Sequence, residues 1–341
     1  MRICKECVTP DTFPGIVINE NGICNRCEAA KQLSLDDKKI ESSDINDINL
    51  LLHKFKNHSG KYDVVVPLSG GVDSCFALIE LVKRYNLKVL AFHNDHGYEP
   101  EVATNNVRNL CKTLNVDLVI EQKDYDFMKT LWKYVNEVDI EGLNCCFVCG
   151  NVLYANALAL AQRYQVPLIV NGYSKGQVEL INNKNVGLSW MGELINKITQ
   201  SGEIDFIDTF LEKMKPLQSQ IIFQQETDAD QAISTSKILV MPLYMFKIYK
   251  TNKDQLRKIC KEVFNWQQPE NTYPARTTNC TMNWLNNYFD IKKMGYSNYH
   301  EEYSVLIRQG EMTREQALED LEFNPPEGLL EKLAFDLKMK L

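Results

Sequence analysis

The stretch Tyr62–Leu81, which reads Tyr-Asp-Val-Val-Val-Pro-Leu-Ser-Gly-Gly-Val-Asp-Ser-Cys-Phe-Ala-Leu-Ile-Glu-Leu, constrains this chain more than any other. Val64, Val65 and Val66 make a short β-branched run, suited to a strand buried on both faces. Leu68 and then Ser69-Gly70-Gly71-Val72-Asp73-Ser74 follow at once, and from Cys75 onward Ala77, Leu78 and Leu81 recur at helical spacing. A strand, a glycine turn and a helix start in that order make an anion cradle. The glycines let the backbone approach a ligand, and the free N–H groups of the first helical turn point at negative oxygens. Ser69 and Ser74 add hydroxyl donors, whereas Asp73 repels phosphate unless Mg²⁺ lies between them. No Gly-Lys-Ser/Thr follows, so the turn is not a Walker A loop.

A second constraint comes from the cysteines. Cys4-Lys-Glu-Cys7 and Cys24-Asn-Arg-Cys27 are two knuckles separated by 16 residues, the pattern of a tetrahedral Zn²⁺ site of four thiolates. Pro10, Pro14, Gly15 and the Asn21-Gly22 turn between them suit short hairpins, so residues 1–30 read as a zinc ribbon. Four thiolates leave no open position, so its role is structural. No apolar run approaches the roughly 18 residues of a membrane span, and the N-terminus is charged and Cys-bearing rather than signal-like. A cytoplasmic protein without a membrane partner is expected, and in that reducing compartment its 11 cysteines are better read as ligands than as disulfides. Lys+Arg number 38 against 45 Asp+Glu, a net charge of −7. The basic stretches Lys54–Lys61 and Lys247–Lys261 are interrupted, so a nucleic-acid partner is disfavoured.

Residues 31–60 read as a helical connector. The domain proper, 61–265, continues through a strand at Lys88–Phe92, a helix over Glu101–Leu114, a strand at Asp117–Ile120 and a helix over Asp124–Asn136. A helix over Leu153–Arg163 and a strand at Val166–Val170 complete four strand-plus-helix units, which imply a parallel sheet with right-handed crossovers. The polar ends of these strands, His93–Gly97 and Asn171–Gln177, sit where open α/β sheets bind ligands. His93 and His96 are equally well read as solvated loop residues. Residues 182–235 form an insertion with helices at Trp190–Ile198 and Ile204–Met214 and no strong strand pattern. Val240–Phe246 returns as an apolar strand-like run, Asn252–Phe264 as a helix, and 266–341 as a mostly helical tail.

Ser69–Ser74 resembles the pyrophosphate loop of the PP-loop (N-type) ATP pyrophosphatases, which cleave ATP between the α- and β-phosphates to adenylate a carbonyl oxygen. The resemblance implies a Rossmann-like, adenine nucleotide alpha hydrolase-like α/β domain. It also implies ATP bound by Leu68–Ser74, Phe92, Asn171 and Gly172, with Mg²⁺ and with Asp73 catalytic. Asn171–Gln177 lacks the Gly-His and the acidic pair common in that family, which leaves Tyr173 and Lys175 without an assigned role.

Cys146-Phe-Val-Cys149 precedes a helical pattern whose N-terminus is expected to lower a thiolate pKa. A pair of core cysteines is the plain alternative. With Cys280, the set resembles the active site of iron–sulfur PP-loop thiolases, where three catalytic thiolates hold a [4Fe–4S] cluster. Cys260 is a weaker rival for third ligand, and Cys75 and Cys111 read as core residues. As a whole the chain resembles the N-acetyl sugar amidotransferase branch. That similarity is carried by Cys7–Gly15, Pro242–Tyr249 and the tail, where Arg308-Gln309-Gly310 runs into Met312–Leu318. That branch implies ammonia from a glutaminase partner. The two branches leave sulfurtransferase and amidotransferase both open, with a small or carrier-bound acceptor. The cysteines and the acidic charge favour thiolation, with a sulfur donor as partner and tRNA thiolation as a minor alternative. A homodimer fits family habit, and a non-enzymatic adaptor role fits only the ribbon.

Overall fold

In the computed structural model the described residues are 1–33, 42–57, 60–122, 125–138, 143–178, 189–218, 221–223, 234–246, 248–250, 252–275 and 279–341. Six strands, β1 (Val64–Pro67), β2 (Val89–Asp95), β3 (Asp117–Gln122), β4 (Leu168–Asn171), β5 (Ile221–Phe223) and β6 (Ile238–Pro242), form one sheet. The order is β3-β2-β1-β4-β6-β5, and every pairing is parallel. Strands leave β1 in both directions, so the sheet reverses its winding between β1 and β4. Open α/β sheets place their ligand crevice at such a switch point, beyond the carboxyl ends of the strands.

The β-branched run behaves as its composition demands. Val64 and Val66 point into a core shared with the helices Val72–Lys83, Glu101–Leu114 and Lys253–Phe264. Val65 points the other way, onto Ala157, Leu158 and Ala161 of the helix Cys145–Arg163. That helix is long and apolar enough to cross a membrane by length and composition alone. Here it is a central packing element, feeding one core under the sheet and a second that holds Trp132, Phe210 and Leu285.

The insertion differs from expectation. It carries helices Ser189–Ser201 and Ile204–Met214, but also β5, which pairs with β6 through Ile221, Ile222 and Phe223. Three residues are too few to show a period, so only pairing reveals the strand. Phe92 lies within β2, with its side chain buried among Val65, Leu90 and Ile169.

The ribbon is built on the isolated antiparallel bridges Ile3–Pro10 and Ile18–Cys24. It docks on the C-terminal helix Asn298–Arg308, where Val8 N and Thr9 Oγ1 donate to Ser304 Oγ at 3.2 and 2.7 Å. Arg26 pairs with the buried Glu301, and the Arg314 guanidinium donates to the carbonyls of Cys4 and Cys7.

Candidate active site

The Ser69–Ser74 turn is held from several directions. Ser74 Oγ accepts from Ser69 N at 3.2 Å and donates to the Gly71 carbonyl at 3.1 Å, closing the loop on itself. The Gly70 carbonyl accepts from the Trp266 indole at 3.0 Å and from Asn106 Nδ2 at 3.2 Å, which turns the carbonyl away from the crevice. Asn279 Nδ2 donates to the Ser69 carbonyl. Gly70 has φ +77°, and a Cβ there would run into the Ala103 carbonyl. Gly172, at the end of β4, backs onto the turn, where a Cβ would lie 2.6 Å from Ser74 N. The helix Val72–Lys83 starts with Gly71 as its N-cap and no side-chain cap bond, so its first N–H groups stay available to an anion.

Asp73 pairs with the buried Lys253 through Oδ2, and its Oδ1 is also buried. Behind this pair lies Glu302, whose Oε1 accepts from Ser174 Oγ at 2.9 Å. Burial pushes the Glu302 carboxyl up to about 7, with Lys253 and Ser174 pulling down and Asp73 adding to the rise. Asn171 accepts from Tyr173 N at 2.9 Å and donates to Tyr154 OH at 2.7 Å, so it shapes the β4 loop. Lys175 pairs with the buried Glu311 at 3.4 Å.

Beside the turn is a cavity of about 170 Å³ whose wall includes Ser69, Glu99, Cys146, Cys149, Cys280 and Asn283. Cys146 and Cys149 are the second and fifth residues of the helix Cys145–Arg163, three residues apart and so on one face. Asn144 caps that helix by accepting from Phe147 N at 2.9 Å. Cys146 Sγ donates to Asn283 Oδ1 at 2.7 Å and accepts from Asn286 Nδ2 at 3.5 Å, so two amides of the helix Met282–Met294 grip the sulfur. Asn283 in turn donates to Tyr299 OH at 2.9 Å. The expected lowering of the thiol pKa by the helix terminus does not hold at Cys149. Burial pushes it up, and the charges of Cys280 and Glu99 push it further. Cys280 is raised for the same reasons, burial first and then Cys146 and Glu99. Such thiols stay protonated unless a metal takes the proton's place. Cys260 is remote from the cavity, buried with its Sγ toward the Val72 carbonyl, and Cys75 and Cys111 are buried core residues.

His93 and His96 are buried rather than solvated, and both face Glu99. Burial alone would lower the His93 pKa, but the Glu99 carboxylate and the Leu68 carbonyl outweigh it and the pKa is raised. Glu99 and Lys253 escape a sequence reading. Neither sits in a motif, and only the fold brings them to the site.

The four N-terminal cysteines form a different kind of cluster. Their sulfurs all lie within 4.8 Å of one another, with Cys4–Cys27 at 3.9 Å and Cys7–Cys24 at 3.7 Å. Tetrahedral bonds of about 2.3 Å to one ion separate sulfurs by about 3.8 Å, so the set fits a single metal. Hydrogen bonds from Cys24 and Cys27 hold the Cys7 thiol well below the ordinary range, and the same contacts push Cys27 up.

Residues 45–141 match the PP-loop domain family, so this part of the chain is a PP-loop domain. More particularly, residues 276–340 match the family described as LPS biosynthesis protein WbpG-like, C-terminal domain. The uncharacterized protein MJ1599 of Methanocaldococcus jannaschii is 22% identical over 323 residues, 94% of this chain and 92% of that one. Similar solved structures include NMN synthetase from Francisella tularensis, at 13% identity and TM-score 0.41, covering 89% of this chain and 98% of that one. Another is the U34-tRNA thiolase NcsA from Methanococcus maripaludis with its [4Fe–4S] cluster, at 15% identity and TM-score 0.35, covering 100% and 98%.

Proposed function

We propose that this protein adenylates a carbonyl or amide oxygen with ATP and then replaces that oxygen with sulfur. The observation that carries this reading is the single cavity that joins Ser69 of the phosphate turn to Cys146, Cys149 and Cys280. In the first half-reaction the acceptor oxygen attacks the α-phosphorus, the bond to the β-phosphate breaks, and pyrophosphate leaves into the Ser69–Ser74 cradle. Backbone N–H groups of the Val72–Lys83 helix and the Ser69 hydroxyl take the developing charge, while Ser74 holds the turn in shape. Asp73 Oδ1 is the oxygen available to Mg²⁺, and Lys253 holds the carboxylate in place. In the second half-reaction sulfide-level sulfur from the donor attacks the activated carbon, the bond from that carbon to the adenylated oxygen breaks, and AMP leaves with the oxygen.

The three cysteines fit a [4Fe–4S] cluster, which supplies an iron-bound site for the transferable sulfur when present. Their sulfurs are not gathered as tightly as those of the ribbon, the only described His/Cys/Asp/Glu group compact enough for a single ion. The ribbon set fits Zn²⁺ in a structural role. A small or carrier-bound acceptor and a separate sulfur donor complete the scheme.

One observation favours a second reading. The match of residues 276–340 to a WbpG-like domain supports an amidotransferase acting on an N-acetylated nucleotide sugar, with ammonia from a glutaminase partner. Anaerobic purification separates the two. Thiolation predicts a brown protein with iron and acid-labile sulfide that Cys149→Ala and Cys280→Ala lose. Colourless protein with zinc alone, releasing pyrophosphate with ammonia and an acetamido sugar independently of Cys146, establishes the second reading instead.

A further inference from the structure

The cysteine cavity has three sulfur ligands and one carboxylate that nothing so far explains. We propose that Glu99 supplies the fourth corner of this site, as an oxygen ligand to the iron that Cys146, Cys149 and Cys280 leave open. The proposal rests on the cluster reading of the cavity and deepens it.

Position comes first. Glu99 shares the cavity wall with all three cysteines, and its side chain is only 7% exposed. Rigidity comes second. Thr281, the residue after Cys280, donates to the Tyr98 carbonyl through both N and Oγ1 at 2.9 Å, which ties the loop bearing Glu99 to the third cysteine. His93 Nε2 lies 3.0 Å from Oε2, and His96 Nε2 lies 3.4 Å from Oε1. The His93 ring is itself fixed by Nδ1, which donates to the Leu68 carbonyl at 2.8 Å, and the His96 ring meets Trp132 edge-on. A carboxylate that ligates a metal is oriented by groups of its outer shell, and here two imidazoles are placed to orient Glu99.

Capacity comes third. An ionised carboxylate accepts at about four positions. In Glu99, Oε2 and Oε1 each face one imidazole, at 3.0 and 3.4 Å, so each oxygen keeps a further acceptor position for a cation on the cavity side. An oxygen ligand binds iron in a sulfur cluster less firmly than thiolate, so this corner is the one open to exchange.

The test uses the full chain, reconstituted anaerobically with ⁵⁷Fe and sulfide. In the wild type, Mössbauer spectra are expected to show one iron of the cluster distinct from the rest, with the parameters of an oxygen-ligated site. Titrating ferrous ion into the three-iron form should give an affinity for the fourth iron weaker in Glu99→Gln by on the order of 10–100-fold or more. Equal affinity in wild type and variant overturns the assignment of Glu99 and leaves the cluster intact. A wild type that takes up no cluster overturns the cluster reading and Glu99 with it. If Glu99→Gln does not fold, the wild-type spectrum decides alone, and a fourth iron indistinguishable from the other three sinks the proposal.

Discussion

The two cysteine sites of this chain differ in almost every physical respect. The ribbon draws four sulfurs from residues 4–27, packs them 3.7–3.9 Å apart in the two measured pairs, and buries all four. The cavity draws three sulfurs from segments more than a hundred residues apart, leaves Cys146 exposed, and surrounds them with asparagines, histidines and a carboxylate. A closed thiolate set stabilises a fold and offers no place for a substrate, whereas an open and polar one offers a place but must be held by the rest of the protein. The helix Asn298–Arg308 serves both. Its Glu301 and Ser304 hold the ribbon, and its Tyr299 and Glu302 reach Asn283 and Ser174 on the other side.

The sharpest way to break this contrast is at the ribbon. Cys24→Ala is expected to release one metal ion and melt residues 1–30, because structural thiolate sites carry apparent binding energies on the order of 10 kcal/mol. Metal analysis with a thermal scan checks it, and a variant that keeps metal and Tm would show the ribbon is no such site. Next is Lys253→Met, which strands the largely buried Asp73 carboxylate. A loss of about 3–5 kcal/mol in denaturant unfolding is expected, with weaker ATP binding.

Glu302 gives a pH test of the shared helix. Its pKa is raised in the fold from the ordinary 4.5 to about 7, so its contribution is full below about 4.5 and is lost as pH rises through about 7. The loss is on the order of 3 kcal/mol. Glu302→Gln is expected to flatten that slope, measured as unfolding free energy against pH.

At the cavity, Cys280→Ala is expected to cut sulfur incorporation about 100-fold while pyrophosphate release falls less. Equal losses in both would merge the two half-sites into one. The smallest effect is at Asn286→Ala, which removes the N–H···S contact to Cys146 and the acceptor for the buried Cys145 N–H. A shift in the reduction potential of the reconstituted cluster, read by anaerobic redox titration, is expected together with a stability loss of about 1–2 kcal/mol.

How far these sites were legible follows from how local they are. The knuckles Cys4–Cys7 and Cys24–Cys27 carry their spacing in the sequence, and the turn Ser69–Ser74 carries strand, glycines and helix in one run. The pairing of Cys146 and Cys149 with Cys280 was suggested only by resemblance, and the cavity is what brings them together. Glu99, the burial of His93 and His96, and the Lys253–Asp73 pair had no sequence signal. A charged residue in a loop reads the same whether the fold leaves it in water or seals it beside a set of cysteines.

The sequence by itself determined the elements whose forces act between near neighbours: β-branched burial at Val64–Val66, the glycine turn after it, and four thiols at knuckle spacing. Only the tertiary structure decided which distant groups share a wall, because desolvation and charge act through space rather than along the chain. That is why Cys149 sits at a helix start and yet has its thiol raised. The local helix dipole is outweighed by burial and by the charges that the fold sets against it.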